Sequence, residues 1–131
     1  MDPKRAIIIV DDDMIMVNLL KNTLMNIYGN AFIYKTALSA LEGLNAIEEL
    51  THSGITISLI ISDWLMPEMK GDEFILKVHQ TRPDIKTIMI SGYAAPDVIE
   101  RICSKLKLNA FITKPWDVNV LTAEINKCVN Q

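Results

Sequence analysis

The chain has 131 residues, 16 of them acidic and 13 basic, with half hydrophobic and only 6% aromatic. That length suits one domain and can bury a core without disulfide or metal staples. A formal charge of −3 and a pI near 5.3 exclude a global basic footprint for nucleic acid; despite a mean hydropathy of +0.21, no apolar run approaches the roughly 18 residues of a membrane-spanning helix.

Residues Met1 to Arg5 precede a short apolar run and then an acidic triplet, which is not the pattern of a secretory signal. Cys103 and Cys128 match no metal-ligand spacing and read as reduced thiols, so a cytoplasmic protein is expected. His52 and His79 have no sequence-local partners and read as surface residues.

Two kinds of segment alternate along the chain. Ile7–Val10 is a β-branched run that reads as a strand buried on both faces. Residues 14–28 place Met16, Leu19, Leu20, Leu24 and Ile27 at helical spacing, and Gly29 stops that helix. Ala31–Tyr34 reads as a second strand. Ser39 caps a helix to about Leu50, with Leu41, Leu44, Ile47 and Leu50 on one side. Ile57–Ile61 is a third strand. Gly71–Arg82 is a helix carrying Phe74, Ile75 and Val78, with Pro83 just beyond. Lys86–Ile90 is a fourth strand, and Asp97 caps a helix to Leu106. Ala110–Ile112 is a fifth strand, and Asp117 caps a last helix bearing Val120, Leu121, Ile125 and Val129.

Five strands separated by helices cannot pair as hairpins. They predict an α/β domain with a doubly wound parallel sheet, right-handed crossovers and helices on both faces. Function in such a sheet belongs at the carboxyl ends of the strands. There stand Asp11, Asp12 and Asp13 after the first strand, Asp63 after the third, Ser91-Gly92 after the fourth, and Lys114-Pro115 after the fifth. Each has an ordinary reading alone: a helix cap, a turn, a loop start, a solvated lysine. Together, in order, each at a strand end, they point to metal-assisted phosphoryl transfer. Clustered carboxylates need a proton or a hard cation, Mg²⁺ prefers oxygen ligands, and a lysine with a hydroxyl complements phosphoryl oxygens. A carboxylate is available as nucleophile.

Four blocks carry a family resemblance: IIIVDDD (7–13), ISDWLMPEMKGDEF (61–74), IMISGYA (88–94) and FITKPW (111–116). The chain resembles the receiver domain of two-component response regulators, the chemotaxis-protein-like fold, over roughly residues 5 to 129. The resemblance implies a flavodoxin-like (βα)5 fold with strand order 2-1-3-4-5, as a single receiver domain over 1–131 with no effector domain. It implies that Asp63 is the phosphoacceptor and that Asp11, Asp12 and Asp63 bind Mg²⁺ or Mn²⁺. The backbone carbonyl of Leu65 would supply a further ligand. Asp13 is an acid beyond the usual pair. Lys114 would pair with the phosphoryl group ahead of a cis bond to Pro115, and Ser91 and Phe111 would form the switch. The implied phosphodonor is a histidine kinase or a phosphotransfer protein. The implied output is a downstream protein or domain reached through helix 4, strand 5 and helix 5, a face through which homodimers also form in the family. Such a protein is a signalling switch rather than an enzyme, with self-phosphorylation and self-dephosphorylation as its only chemistry. No direct contact with nucleic acid or membrane is implied.

Some positions depart from the common pattern. Leu65, two residues after Asp63, is apolar, and Tyr93, two after Ser91, is bulky; both flank the expected route of a hydrolytic water. Trp116 replaces a phenylalanine and reads as packing at the sheet edge. The Thr51–Thr56 connection is slightly long and reads as a surface loop. Three rival readings compete: a haloacid-dehalogenase-like phosphohydrolase using Asp11 and Asp13, a flavodoxin-like electron carrier, and a degenerate receiver used as a docking scaffold. The first lacks the expected flanking residues and a cap insertion. The second would set three acids against a flavin phosphate. The third is disfavoured because every expected site position is filled by a competent residue.

Overall fold

The computed structural model describes residues 4–92 and 95–130. Strands β1 (Arg5–Val10), β2 (Ile33–Ala37), β3 (Thr56–Asp63), β4 (Lys86–Ser91) and β5 (Ala110–Thr113) form one parallel sheet in the order β2-β1-β3-β4-β5. Helices α1 (Met14–Tyr28), α2 (Ala40–His52), α3 (Gly71–Thr81), α4 (Pro96–Leu106) and α5 (Val118–Val129) make the crossovers. The fold is the expected doubly wound (βα)5 sheet.

The strand composition explains the layering. Successive strand residues face opposite sides, so the apolar runs of β1, β3 and β4 feed two cores at once. Ile8, Ile60 and Met89 pack with Phe74, Ile47 and Ile102 under α2, α3 and α4. Ile7, Ile61 and Ile88 pack with Leu24, Leu121 and Ile125 under α1 and α5. Each buried Ile or Leu contributes roughly 1.5–3 kcal/mol. Among the described residues no helix is long and apolar enough to cross a membrane.

Several local expectations are corrected. β2 begins at Ile33 rather than Ala31. Gly29 caps α1 at φ 55, and a 3-10 turn through Ala31 consumes the residues expected to be extended. In α1 the inward stripe is Val17, Leu20 and Leu24, at i, i+3 and i+7; Leu19 and Ile27 lie outside, as do Leu41 on α2 and Val120 on α5. Asp97 does not cap α4. Pro96 opens that helix, where a missing N–H costs nothing, and the carbonyl of Ala95 receives Val98 and Ile99 at 3.0 Å each. Asp97 stands in the first turn, still favourable beside the helix dipole. Ser39 and Asp117 cap α2 and α5 as expected.

Candidate functional site

Register brings the functional residues to one edge. Val10 pairs with Ser62, so Asp11 arrives beside Asp63. Asp63 pairs with Ile90, and Ser91 follows; Ser91 pairs with Thr113, and Lys114 follows. One sheet edge therefore presents Asp11, Asp63, Ser91 and Lys114 in sequence.

The three consecutive acids divide their work. Asp13 is the N-cap of α1, its Oδ1 accepting from the Ile15 N–H at 2.9 Å. Asp11 is buried, and its Oδ1 accepts from the Asp13 N–H at 3.0 Å, which fixes the carboxylate facing inward. Asp12 is exposed at the rim. So capping claims only one acid of three.

Lys114 is held between two carboxylates. Its Nζ donates to Asp11 Oδ2 at 3.0 Å and to Asp63 Oδ1 at 3.2 Å, and its backbone N–H donates to the Ser91 carbonyl at 2.9 Å. The Lys114-Pro115 bond is cis, as expected. Burial, then the Asp11 charge, push the Asp63 carboxyl above the ordinary aspartate range, and the Lys114 ammonium only partly opposes them. Burial alone would lower Lys114; hydrogen bonding to Asp11 and the Asp63 charge reverse that and raise it.

Asp11, Asp12 and Asp63 each offer one carboxylate oxygen, all within 4.8 Å of one another. Three carboxylates against one ammonium leave two negative charges, and the donors are hard oxygens. That set fits a divalent cation of the Mg²⁺ type.

The backbone beside Asp63 is locked. The Gly71 N–H donates to the Trp64 carbonyl at 2.7 Å. A Cβ at Gly71 would collide with the Asp63 carbonyl oxygen and approach Trp64 Cα at 3.0 Å. The glycine eight residues after Asp63 is thus a close-approach glycine, which spacing alone does not reveal. The loop between them turns through Glu68 at φ 70. Ser91 is 1% exposed, and Phe111 is half-buried, its ring edge-on to Trp64 with centroids 6.5 Å apart. Sequence reasoning did not single out Trp64; an aromatic next to Asp63 was the only signal available. Leu65 is 47% exposed at the rim. Tyr93 lies outside the described residues. Trp116 is partly buried against the core on the α1/α5 side of the sheet, a face the sequence reading of sheet-edge packing did not specify.

The architecture is a doubly wound parallel sheet with an acidic triad and an opposed lysine at its carboxyl edge. The family model of the response regulator receiver domain matches residues 7–126. The chain is 32% identical to Chemotaxis protein CheY1 of Helicobacter pylori, covering 91% of this chain and 92% of that protein. It is 29% identical to Sensor kinase CckA of Brucella abortus over 73% of this chain, spanning only 10% of that longer protein. A CheY-like receiver domain structure from Methanospirillum hungatei superposes with a TM-score of 0.80 at 30% identity, covering 98% of this chain and 94% of that one. The chain belongs to the response regulator receiver domain family of two-component systems. Members of this family are signalling proteins that bind Mg²⁺ through such an acidic pocket and take phosphoryl groups from histidine kinases to regulate downstream partners.

Proposed function

We propose that residues 1–131 act as one receiver unit, a cytoplasmic switch phosphorylated on Asp63. The observation that carries this reading is the Lys114 ammonium bridging Asp11 and Asp63 at the sheet edge. Asp63 Oδ attacks the phosphorus of a donor phosphohistidine. A P–O bond forms as the P–N bond breaks, and the imidazole leaves with the electron pair. Asp11, Asp12 and Asp63, with the Leu65 carbonyl, would hold Mg²⁺, which when bound neutralises charge on the phosphoryl oxygens.

The chain's own residues do the rest. Lys114 moves from sharing two carboxylates to pairing with phosphoryl oxygen. Ser91 donates its hydroxyl to another oxygen. Both lie where strands give way to loops, so their movement biases α4 and lets Phe111 shift against Trp64. The output face is α4, β5 and α5, open to a partner or to a second copy. A donor reaches Asp63 over a rim of exposed Met14 and Ile15 on α1 and of Leu65, so an apolar helical surface suits it.

Intact mass after treatment with acetyl phosphate and Mg²⁺ tests the reading. The native chain should gain one phosphoryl group and Asp63→Ala none. No gain in either would leave the docking-scaffold reading; a gain in both would place the acceptor elsewhere.

A further inference from the structure

A second charged feature lies at the opposite, amino-terminal end of the sheet. The carboxyl halves of α3 and α4 border two adjoining depressions of about 310 and 220 Å³, which share His79, Pro83 and Lys107. One end is apolar, with Leu76, 40% exposed, beside the core residue Leu106, which is only 3% exposed. The other end is cationic, with Lys86 at its edge and Lys105 and Lys107 along the α4 wall. The only acid among the lining residues is Asp84.

These cations are unspent. Among the described residues none of Lys86, Lys105 and Lys107 is ion-paired, whereas nearby Arg82 is held by Glu48 at 3.1 Å. Asn109 adds a donor. Its Oδ1 accepts from the Thr87 N–H at 2.9 Å, which clips the side chain to β4 and leaves the amide NH2 with no described partner. Lys107 carries an independent signal. It caps α4 at φ 52, in the left-handed region where glycine or asparagine is the unstrained choice. A lysine at φ 52 places a cation where backbone strain favours glycine.

We propose that this α3–α4 groove docks an acidic, leucine-bearing segment of a partner protein, with Lys105 and Lys107 contacting its carboxylates and Leu76 its apolar side chain. Charge decides the occupant: the groove is cationic within a chain of net charge −3, so it selects acidic segments and repels basic ones. The groove lies at the far end of the strands from Asp63 and shares no residue with the phosphorylation site.

The probe is a fluorescein-labelled helical peptide of Glu, Ala and Leu, read by anisotropy, with a Lys-for-Glu counterpart as control. The native chain should bind the acidic peptide saturably, more weakly as salt rises, and ignore the basic one. Lys107→Gly should weaken binding about tenfold, and adding Lys105→Ala should weaken it further. Because Lys107→Gly also relieves backbone strain, its melting temperature should hold or rise, so lost binding would not reflect lost folding. Phosphorylation from acetyl phosphate should be unchanged in both variants. Equal binding by Lys107→Gly and the native chain would overturn the proposal. So would equal binding of both peptides, or sedimentation with phosphatidylserine vesicles without peptide binding.

Discussion

Replacing Lys114 with Met keeps most of the aliphatic stem and deletes the ammonium. That ammonium lies 3.0 Å from Asp11 and 3.2 Å from Asp63, and none of the three side chains is more than 18% exposed. At an effective dielectric of about 20, each contact is worth roughly 5 kcal/mol of Coulomb energy, much of it offset by desolvating the ammonium. Removing one partner of a buried pair costs about 3–5 kcal/mol, because the remaining charges stay buried and unmatched. The Asp12 side of the site is open to solvent, which favours the lower end, about 3 kcal/mol. For a chain of this size that lowers the melting temperature by roughly 10 °C in metal-free buffer at neutral pH. Magnesium should bind Lys114→Met more tightly than the native chain, since a competing cation is gone, and should restore much of the loss. Lowering the pH should also narrow the gap, because Asp63 already holds its proton more readily than an ordinary aspartate. Lys114 is raised above 10.5, so its own charge is constant over this range and does not confuse the comparison. Thermal melts with and without Mg²⁺, at neutral and acidic pH, measure all three effects. A melting temperature within about 2 °C of the native value, or weaker Mg²⁺ binding by the variant, would refute the reasoning.

Three further outcomes follow from the same site. Asp63→Asn should stabilise the metal-free chain at neutral pH. A carboxyl whose folded pKa is raised costs stability once ionised, so the advantage should vanish as pH falls through that pKa, and urea titrations across pH should show it. Gly71→Ala should lose about 3 kcal/mol or more, since the added Cβ collides with the Asp63 backbone carbonyl and α3 gains little from alanine at its first residue, and should slow phosphorylation; an unchanged urea midpoint would remove the close-approach argument. Leu65→Asn should shorten the phosphoryl lifetime about tenfold, ~1.4 kcal/mol in barrier, because an amide at this exposed rim position can orient water and a leucine cannot; decay of the phosphorylated mass measures it, and an unaltered lifetime would sink the idea.

Most of the architecture was legible because β1, β3 and β4 are apolar on both faces, a signal that depends on composition alone. The order of polar residues at strand ends likewise pointed to the grouping of Asp11, Asp63, Ser91 and Lys114 that the strand register produces. What escaped depended on phase or on three-dimensional approach. The inward stripe of α1 includes Val17 and excludes Leu19, a rotation that an evenly apolar helix does not disclose. Asp11, Asp12 and Asp13 are chemically alike in sequence, and only the backbone turn after Val10 decides which one caps α1. Pro96 starts α4 ahead of Asp97, so the residue best suited to cap the helix falls inside its first turn. The contact of Trp64 with Phe111 joins residues 47 positions apart (111 minus 64), beyond any local pattern.

The placement of Asp63 bears on how a switch in this chain would work. It is the last residue of β3, paired with Ile90 of β4, with its carbonyl packed against Gly71 and its neighbour's carbonyl hydrogen-bonded to the same glycine. Charge added to its side chain therefore cannot be relieved by moving β3. Asp11 is equally fixed, by the Asp13 N–H and the start of α1. The groups that remain able to respond are the hydroxyl of Ser91 and the ammonium of Lys114, each at the point where a strand gives way to a loop. Those loops lead into α4 and α5, and the Lys114 N–H to Ser91 carbonyl bond ties one loop to the other. On the reading proposed here, the close packing and hydrogen bonds that hold Asp63 and Asp11 direct the response toward the α4–β5–α5 face.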